Sequence, residues 1–121
     1  MADKIRDFTD LIVWQKGHQF VLKIYNFTKS FPPDEKFGLI SQMRRAAVSI
    51  PANIAEGFRK RGVKDKVNFY NIAQASLDES RYFLMLAKDL GYMKTNSEML
   101  SDADEINKML YKLIESLEKI P

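Results

Sequence analysis

The chain has 121 residues, of which 45% are hydrophobic and 29% are charged, as expected for one soluble globular domain. It contains no cysteine, which excludes disulfide bonds and thiolate metal sites. Its apolar stretches are too short to span a bilayer, and its start lacks the basic and apolar segments of a signal peptide. We therefore expect a cytoplasmic protein that does not enter a membrane.

The net charge of +3 is distributed unevenly along the chain. Residues 36–66 contain eight basic and two acidic side chains, whereas residues 97–121 contain three basic and six acidic side chains. A molecule with one basic end and one acidic end binds a polyanion on one side only.

The first predicted helix follows residues 1–9, which are polar and are expected to be loosely ordered. Asp10 stands where a helix N-cap is expected. Beyond it, apolar residues recur every three or four positions on two faces: Leu11, Val13, Trp14, Phe20, Val21, Ile24, Tyr25 and Phe27. A helix with two apolar faces must bury both. One face therefore fits its own bundle, and the other is available to another subunit.

The second predicted helix follows the break at Phe31–Asp34 and runs to about Ala55. Asp34 is a candidate cap for this helix. Pro51 predicts a kink or a short break, because it lacks a backbone N–H and clashes with the preceding turn. Gly57 is the predicted end of the helix.

The last two predicted helices complete a bundle. The third runs from about Asp65 to Leu90 with a broad apolar surface, and Asn96 or Ser97 caps the fourth. The fourth carries a strict seven-residue apolar repeat: Met99, Ala103, Ile106, Leu110, Leu113, Leu117 and Ile120. The sequence therefore predicts one all-α domain over residues 1–121, an up-down-up-down four-helix bundle.

Catalytic and metal sites have little support in the sequence. The one histidine, His18, has no carboxylate three residues before it, so the Glu-x-x-His pairs of di-iron bundles are missing. The serines lack a nearby histidine base, and no glycine-rich phosphate loop is present. We expect a protein that is not an enzyme, with no catalytic residue, no metal and no cofactor.

Two glutamates lie amid apolar or small neighbours in the second and third helices, at Glu56 and Glu79. A buried carboxylate needs a partner. These two are expected to be structural and to pair with Arg44, Arg45 or the amides of a helix end.

Five basic residues crowd one short segment: Arg59, Lys60, Arg61, Lys64 and Lys66. Such a run is often only a solvated loop. The alternative is a phosphate-binding surface, to which Arg44 and Arg45 contribute if the second helix faces the same way. The neighbouring Phe58 either stacks on a base or anchors the loop.

Four sequence blocks carry a resemblance to a known family. They are Phe8-x-x-Leu11-x-x-Trp14, Phe31-Pro32-x-x-Glu35-x-Phe37-Gly38-Leu39, the block from Gln42 to Gly57, and Ala75-Ser76-Leu77-x-Glu79. With them the chain resembles the bacterial four-helix-bundle proteins encoded in intervening sequences of 23S ribosomal RNA genes. The accessory variability determinant of diversity-generating retroelements belongs to the same group.

The resemblance implies a ring-like homopentamer that encloses a basic channel and has no enzymatic activity. For the retroelement members it also implies binding to nucleic acid and to a reverse transcriptase. Arg44 and Arg45 match the family's arginines in the second helix. Asn53, Glu56 and Glu79 match its structural polar positions.

We therefore expect a homo-oligomer that binds RNA or DNA through phosphates, with little readout of sequence. The predicted nucleic-acid-binding residues are Arg44, Arg45, Arg59, Lys60, Arg61, Lys64 and Lys66. The alternative is a protein-interaction scaffold that binds an acidic partner or a reverse transcriptase. A third option, an RNA-processing enzyme, is disfavoured because no acid/base constellation is evident.

Overall fold

The computed structural model describes residues 4–120, which form four α-helices and two short 3-10 helices. The 3-10 helices are Phe8–Asp10 and Pro33–Glu35, and the α-helices are α1 (Ile12–Thr28), α2 (Leu39–Arg59), α3 (Val63–Asp89) and α4 (Ser97–Glu118). Each helix packs against its neighbours in the chain, and α1 packs against α4. No strand occurs in residues 4–120, so the predicted all-α bundle is confirmed.

The core runs through the middle of the bundle, and all four helices contribute to it. Its largest fully buried aliphatic and aromatic side chains are Phe20, Ile24, Met43, Ile50, Ile54, Tyr70, Leu77, Leu84, Met99, Ile106 and Leu110. Each helix presents such residues at spacings of four or seven, which place them on one helix face. Across the described residues, no helix is both long and apolar enough to cross a bilayer.

The N-terminal turn differs from the sequence expectation. Asp10 does not cap α1; its carboxylate accepts the backbone N–H groups of Arg6 and Asp7, at 3.0 and 3.1 Å. The reciprocal hydrogen bonds of Asp7 and Asp10 form a capping box that stabilises the 3-10 helix. We expected loose order over residues 1–9. The last residues of this segment belong instead to the capped turn, and residues 1–3 lie outside the described part of the chain.

The start of α2 also differs, because Asp34 does not cap it. The preceding 3-10 helix places Glu35 there instead, and the Glu35 carboxylate accepts the N–H of Leu39 at 3.4 Å. Its other oxygen accepts the phenol O–H of Tyr92 at 2.9 Å. Glu35 therefore joins the start of α2 to the first part of the α3–α4 connection.

Pro51 does not break α2, which is continuous from Leu39 to Arg59. The proline is buried, and Ile50 and Ile54 beside it are fully buried. A Cβ atom added to Gly17 of α1 would lie 3.6–3.8 Å from these three side chains. Close packing of α1 on this part of α2 keeps the helix intact despite the missing backbone donor.

Gly57 does not end α2 either; it allows a close approach to α3. A Cβ atom at this position would lie 2.7 Å from Cε1 of Tyr70 and 3.1 Å from Cβ of Phe69. The helix continues to Arg59. The role of this glycine is therefore to make room for a buried aromatic ring.

The apolar repeat of α4 holds over its first half and then shifts. Met99, Ala103, Ile106 and Leu110 are buried, but the next buried residue is Ile114 and not Leu113. A straight helix with 3.6 residues per turn drifts away from a seven-residue repeat, which explains the change. Asn96 is the N-cap residue of α4, as expected, but its side chain makes no capping bond; its amide donates to the carbonyl of Leu84 at 3.2 Å.

Candidate nucleic-acid interface

The connection between α2 and α3 carries most of the predicted phosphate-binding residues. Arg59 ends α2, Lys60 is its C-cap with an extended backbone, and Lys64 lies in the first turn of α3. We call the four exposed residues Arg59, Lys60, Arg61 and Lys64 the basic end. None of the four forms an ion pair with another residue in 4–120, so this surface offers four unneutralised cations.

Lys66 does not belong to this surface, although the sequence predicted that it would. Its ammonium group donates to the carbonyl oxygens of Phe58 and Gly57, at 2.7 and 3.3 Å. Burial lowers the pKa of Lys66 below its usual value. The residue therefore satisfies carbonyl groups in the last turn of α2 and is withdrawn from the phosphate-binding set.

The aromatic rings beside the basic end are covered by lysines. The ammonium of Lys66 lies 5.4 Å from the ring centre of Phe58, and that of Lys60 lies 5.1 Å from the ring centre of Phe69. Of the two roles considered for Phe58, this arrangement favours anchoring of the connection over stacking on a base.

A cleft of about 440 Å³ adjoins the basic end and contains an arginine that the sequence analysis missed. Arg6 and Arg59 both line it, together with the carboxylates of Asp7 and Glu56. The Thr9 hydroxyl donates to Asp7 at 2.6 Å and holds the pKa of that carboxyl below its ordinary value. The cleft is therefore close to neutral, and the positive field belongs to the basic end itself.

Arg6 could not be found from the sequence, because residues 1–9 were expected to be loosely ordered. Only the capped turn that follows it places Arg6 in the same cleft as Arg59. No motif around Arg6 signals this position.

Arg44 has a structural role at the opposite end of α2. Its Nε donates to the Thr28 hydroxyl at 2.9 Å, and its Nη2 donates to the carbonyl of Tyr25 at 3.3 Å. The guanidinium also lies 4.4 Å from the centre of the Tyr25 ring. Arg44 thus binds the last turn of α1 to α2.

Arg45 is exposed, but it lies far from the basic end. Arg45 and Arg59 are separated by about 21 Å along the helix axis, at 1.5 Å per residue. The seven predicted basic residues therefore do not form one patch within a protomer. They divide into the basic end, Arg45 at the other end of α2, and the two residues Arg44 and Lys66, whose side chains have partners inside the protomer.

The ion pairs predicted for Glu56 and Glu79 are not formed within the protomer. Both side chains are exposed, and no arginine of residues 4–120 lies within salt-bridge distance of either. Arg44 is turned towards α1, and Arg45 lies about three turns of helix before Glu56. The prediction that these carboxylates are buried was wrong for the isolated protomer.

Asn53 lies in a chain of hydrogen bonds that joins α2 to α3. Its amide donates to the carbonyl and the hydroxyl of Ser49, at 2.7 and 2.9 Å. The hydroxyl groups of Ser49 and Ser76 are 2.8 Å apart, and Ser80 donates to the Ser76 carbonyl at 3.0 Å. These contacts hold together the part of the bundle with few large side chains.

The outer surface around this chain is built from small residues. We call it the small-residue face; it consists of Ala52, Ala75 and Ser76, with the larger Ile72 beside them. Ile72 is 40% exposed, and Ala52 and Ala75 are exposed as well. Small residues allow another helix to approach closely, so this face can pack against a second subunit.

The acidic residues of α4 differ from the basic end in being neutralised. Lys23 of α1 pairs with Asp102 at 2.7 Å and with Glu98 at 3.0 Å, and the hydrogen bond that its ammonium donates to Asp102 is the main cause of its raised pKa. Lys16 pairs with Glu105 at 2.7 Å. The charges of the α1–α4 side largely cancel, which leaves the basic end as an uncompensated charge of the surface.

His18 is exposed and stacks on Trp14, with ring centroids 5.2 Å apart and ring planes 7° from parallel. Within the described part of the chain, no three His, Asp or Glu side chains converge in a way that could hold a metal ion. Charge is therefore the property of this surface that bears on its function.

Residues 9–112 match the family model described as 23S rRNA-intervening sequence protein. The chain belongs to this family. A similar solved structure is the 1.70 Å crystal structure of a protein with unknown function from the S23 ribosomal protein family of Bacteroides thetaiotaomicron VPI-5482. The two chains are 30% identical with a TM-score of 0.76, and the match covers 85% of this chain and 98% of that chain. A comparison with curated proteins gives no match.

In this member of the 23S rRNA-intervening sequence protein family, the block from Gln42 to Gly57 forms most of α2. One end of the block carries Arg44 and Arg45, and the other carries the close contact between Gly57 and Tyr70. The basic end follows the block directly and lies within the matched residues.

Proposed function

We propose that the protein is a non-enzymatic, self-associating protein of the cytoplasm that binds RNA or DNA through its basic end. The observation that carries this proposal is the contrast between two charged surfaces. The four cations of the basic end form no ion pair in residues 4–120, whereas two lysines of α1 pair with three of the acidic residues of α4. An unneutralised cationic surface attracts a polyanion and gains free energy from the counterions that are released.

The form of the basic end favours contact with the nucleic-acid backbone over contact with bases. Its cations extend from a helix end and a short connection, and α2 and α3 lead back into the bundle. Lys66 and Lys60 cover the neighbouring rings of Phe58 and Phe69. We therefore expect duplex or structured nucleic acid to bind with little sequence preference.

Self-association would repeat the basic end in each subunit of an assembly. The small-residue face supports this part of the proposal, because Ala52, Ala75 and Ile72 stay exposed in the protomer. The resemblance described above implies a pentameric ring. In such a ring weak phosphate contacts act together, so that their combined affinity exceeds the affinity of one subunit.

Charge reversal at the basic end tests the proposal. The triple variant Arg59→Glu, Arg61→Glu and Lys64→Glu is compared with the wild-type protein by fluorescence anisotropy, using labelled RNA and DNA duplexes at low salt. We expect the affinity to fall at least about a hundredfold for every duplex, since each lost phosphate contact also loses its released counterion. Circular dichroism and light scattering should give the same helix content and particle mass as for the wild type.

The matched control reverses three lysines of the acidic last helix and its end, with Lys108→Glu, Lys112→Glu and Lys119→Glu; Lys108 and Lys119 already pair with carboxylates of α4. All three residues are exposed and lie on or directly after α4. This control should keep the affinity within about threefold of the wild type. Equal loss in both triple variants, or no duplex binding by the wild-type protein at low salt, would overturn the proposal.

A further inference from the structure

A second cationic surface lies at the other end of α2 and has a different character from the basic end. Here a cleft of about 650 Å³ is bordered by the last turns of α1, the loop before α2 and the first half of α2. Its lining includes the cations Lys36, Arg44 and Arg45 and the apolar residues Phe37, Ile40 and Val48. We call it the α2 cleft.

The charge of the α2 cleft has one sign. Three cations line it, and no described carboxylate does. Lys36 and Arg45 form no ion pair with residues 4–120, and Arg44 is held in place by Thr28 and Tyr25. An occupant of this cleft must therefore provide negative charge.

The apolar part of the cleft is equally uncovered. Phe37 is 89% exposed, Val48 is 41% exposed and Tyr25 is 39% exposed. Exposed aromatic and aliphatic residues gathered beside a groove mark an interaction surface more often than a solvated one. An occupant that buries them must provide apolar side chains as well as negative charge.

A nucleic acid fits this combination poorly. Phosphates gain nothing from the aliphatic side chains of Ile40 and Val48. One face of each aromatic ring already carries a cation, since Lys36 lies 5.5 Å from the ring centre of Phe37 and Arg44 lies 4.4 Å from that of Tyr25. The cleft is also about 15 Å or more from the basic end along α2, so one surface does not extend into the other.

A second copy of this chain also fits poorly. Its acidic helix is α4, but lysines of α1 and α4 already pair with five of its carboxylates. Docking α4 in the cleft of another copy would break these pairs. The complementary partner is therefore a different protein whose carboxylates are unpaired.

We propose that the α2 cleft binds an acidic amphipathic helix from a partner protein. Apolar side chains along one face of that helix contact Phe37 and Val48, and carboxylates on its flanks pair with Lys36 and Arg45. This is helix-in-groove recognition, in which apolar anchors provide affinity and charge provides orientation. The site is independent of nucleic-acid binding at the basic end.

The test uses synthetic labelled helical peptides and the full chain in its native assembly. One peptide carries leucines along one face and glutamates on both flanks. A second has lysines in place of the glutamates, and a third has serines in place of the leucines. Fluorescence anisotropy should show binding of the first peptide, with at least about tenfold weaker binding of the other two.

The variants Arg45→Glu and Phe37→Ser should each weaken binding of the first peptide by at least about tenfold. Both side chains are exposed, so circular dichroism should show an unchanged fold. The matched control Arg61→Glu changes the basic end and should leave peptide affinity unaltered. Equal loss in Arg45→Glu and Arg61→Glu, or equal binding of all three peptides, would overturn the proposal.

Two further outcomes would assign the cleft to another occupant and also overturn the proposal. If a nucleic-acid duplex displaces the first peptide, the cleft belongs to the nucleic-acid surface. If Phe37→Ser or Arg45→Glu lowers the particle mass in light scattering, the cleft is covered by another copy of this chain.

Discussion

Replacing Gly57 by alanine should destabilise the protein, although alanine is the better helix former. A Cβ atom at this position would lie 2.7 and 3.0 Å from two carbon atoms of the Tyr70 ring. The ring is only 2% exposed, so it cannot turn aside into solvent. Tyr70 and the first half of α3 must therefore move away from α2.

Two opposing effects set the size of the change. Alanine gains about 0.8–1 kcal/mol over glycine inside a helix, and less than this near a helix end. Overpacking of a filled core costs about 1–3 kcal/mol. The net expectation is a loss of about 1 kcal/mol, and of about 2 kcal/mol at most. For a domain of this size, a loss of about 1 kcal/mol lowers Tm by about 4 °C.

The matched control is Gly62→Ala, because a Cβ atom there would have no atom within 4 Å. The backbone of Gly62 is extended, with φ −83°, which alanine adopts readily. Thermal unfolding of both variants is followed by circular dichroism at one protomer concentration, since self-association makes Tm depend on concentration. If Gly57→Ala melts at or above the temperature of Gly62→Ala, helix propensity outweighs the close approach and our explanation of Gly57 is wrong.

Three other substitutions test separate contacts. Lys66→Met should lower the free energy of unfolding in urea by about 0.5–1.5 kcal/mol, because two carbonyls of α2 lose their donor. Duplex affinity should stay unchanged. A loss of affinity like that of Lys64→Met would return Lys66 to the basic end. Asn53→Ala should cost about 1–2 kcal/mol in the same assay, and a cost near zero would show that the bonds to Ser49 add no stability. The Tyr92 O–H donates to Glu35, which raises the pKa of the phenol, so its stabilising effect is complete below about pH 10 and is lost as pH rises through the raised value. The difference in Tm between the wild type and Tyr92→Phe should therefore be constant up to about pH 10 and shrink as the pH rises further, and a difference that stays constant at higher pH would contradict this assignment.

The sequence predicted the four helices and their order because their apolar spacing is long and regular. Periodicity reports which face of a helix is buried, and packing of these faces determines the bundle. The sequence predicted the ends of the helices less well. Asp10 and Asp34 have the chemistry of caps, but neighbouring turns provide other partners. Gly57 has the chemistry of a helix end, but its role depends on Tyr70, which lies on another helix.

The candidate site was predictable only as a group of charges. Nothing in the sequence distinguishes Lys64, which is exposed, from Lys66, whose partners are carbonyls eight and nine residues earlier. The same is true of Arg44, whose partners lie sixteen and nineteen residues earlier. Such assignments depend on tertiary contacts between helices, which a one-dimensional pattern of charge does not contain. Glu56 shows the reverse case, because small neighbours in sequence suggested burial where the protomer has an open surface.

The dependence of RNA affinity on salt tests the central claim most directly, since the claim is that the basic end binds phosphates. Four exposed cations per protomer give a slope of log affinity against log salt of about −3.6 for each engaged protomer, at about −0.9 per phosphate. Affinity for a structured RNA should then fall by a factor of about 150 between about 50 and 200 mM salt, and further if several protomers bind. A slope near zero, or no binding of the wild-type protein at low salt, would contradict the account.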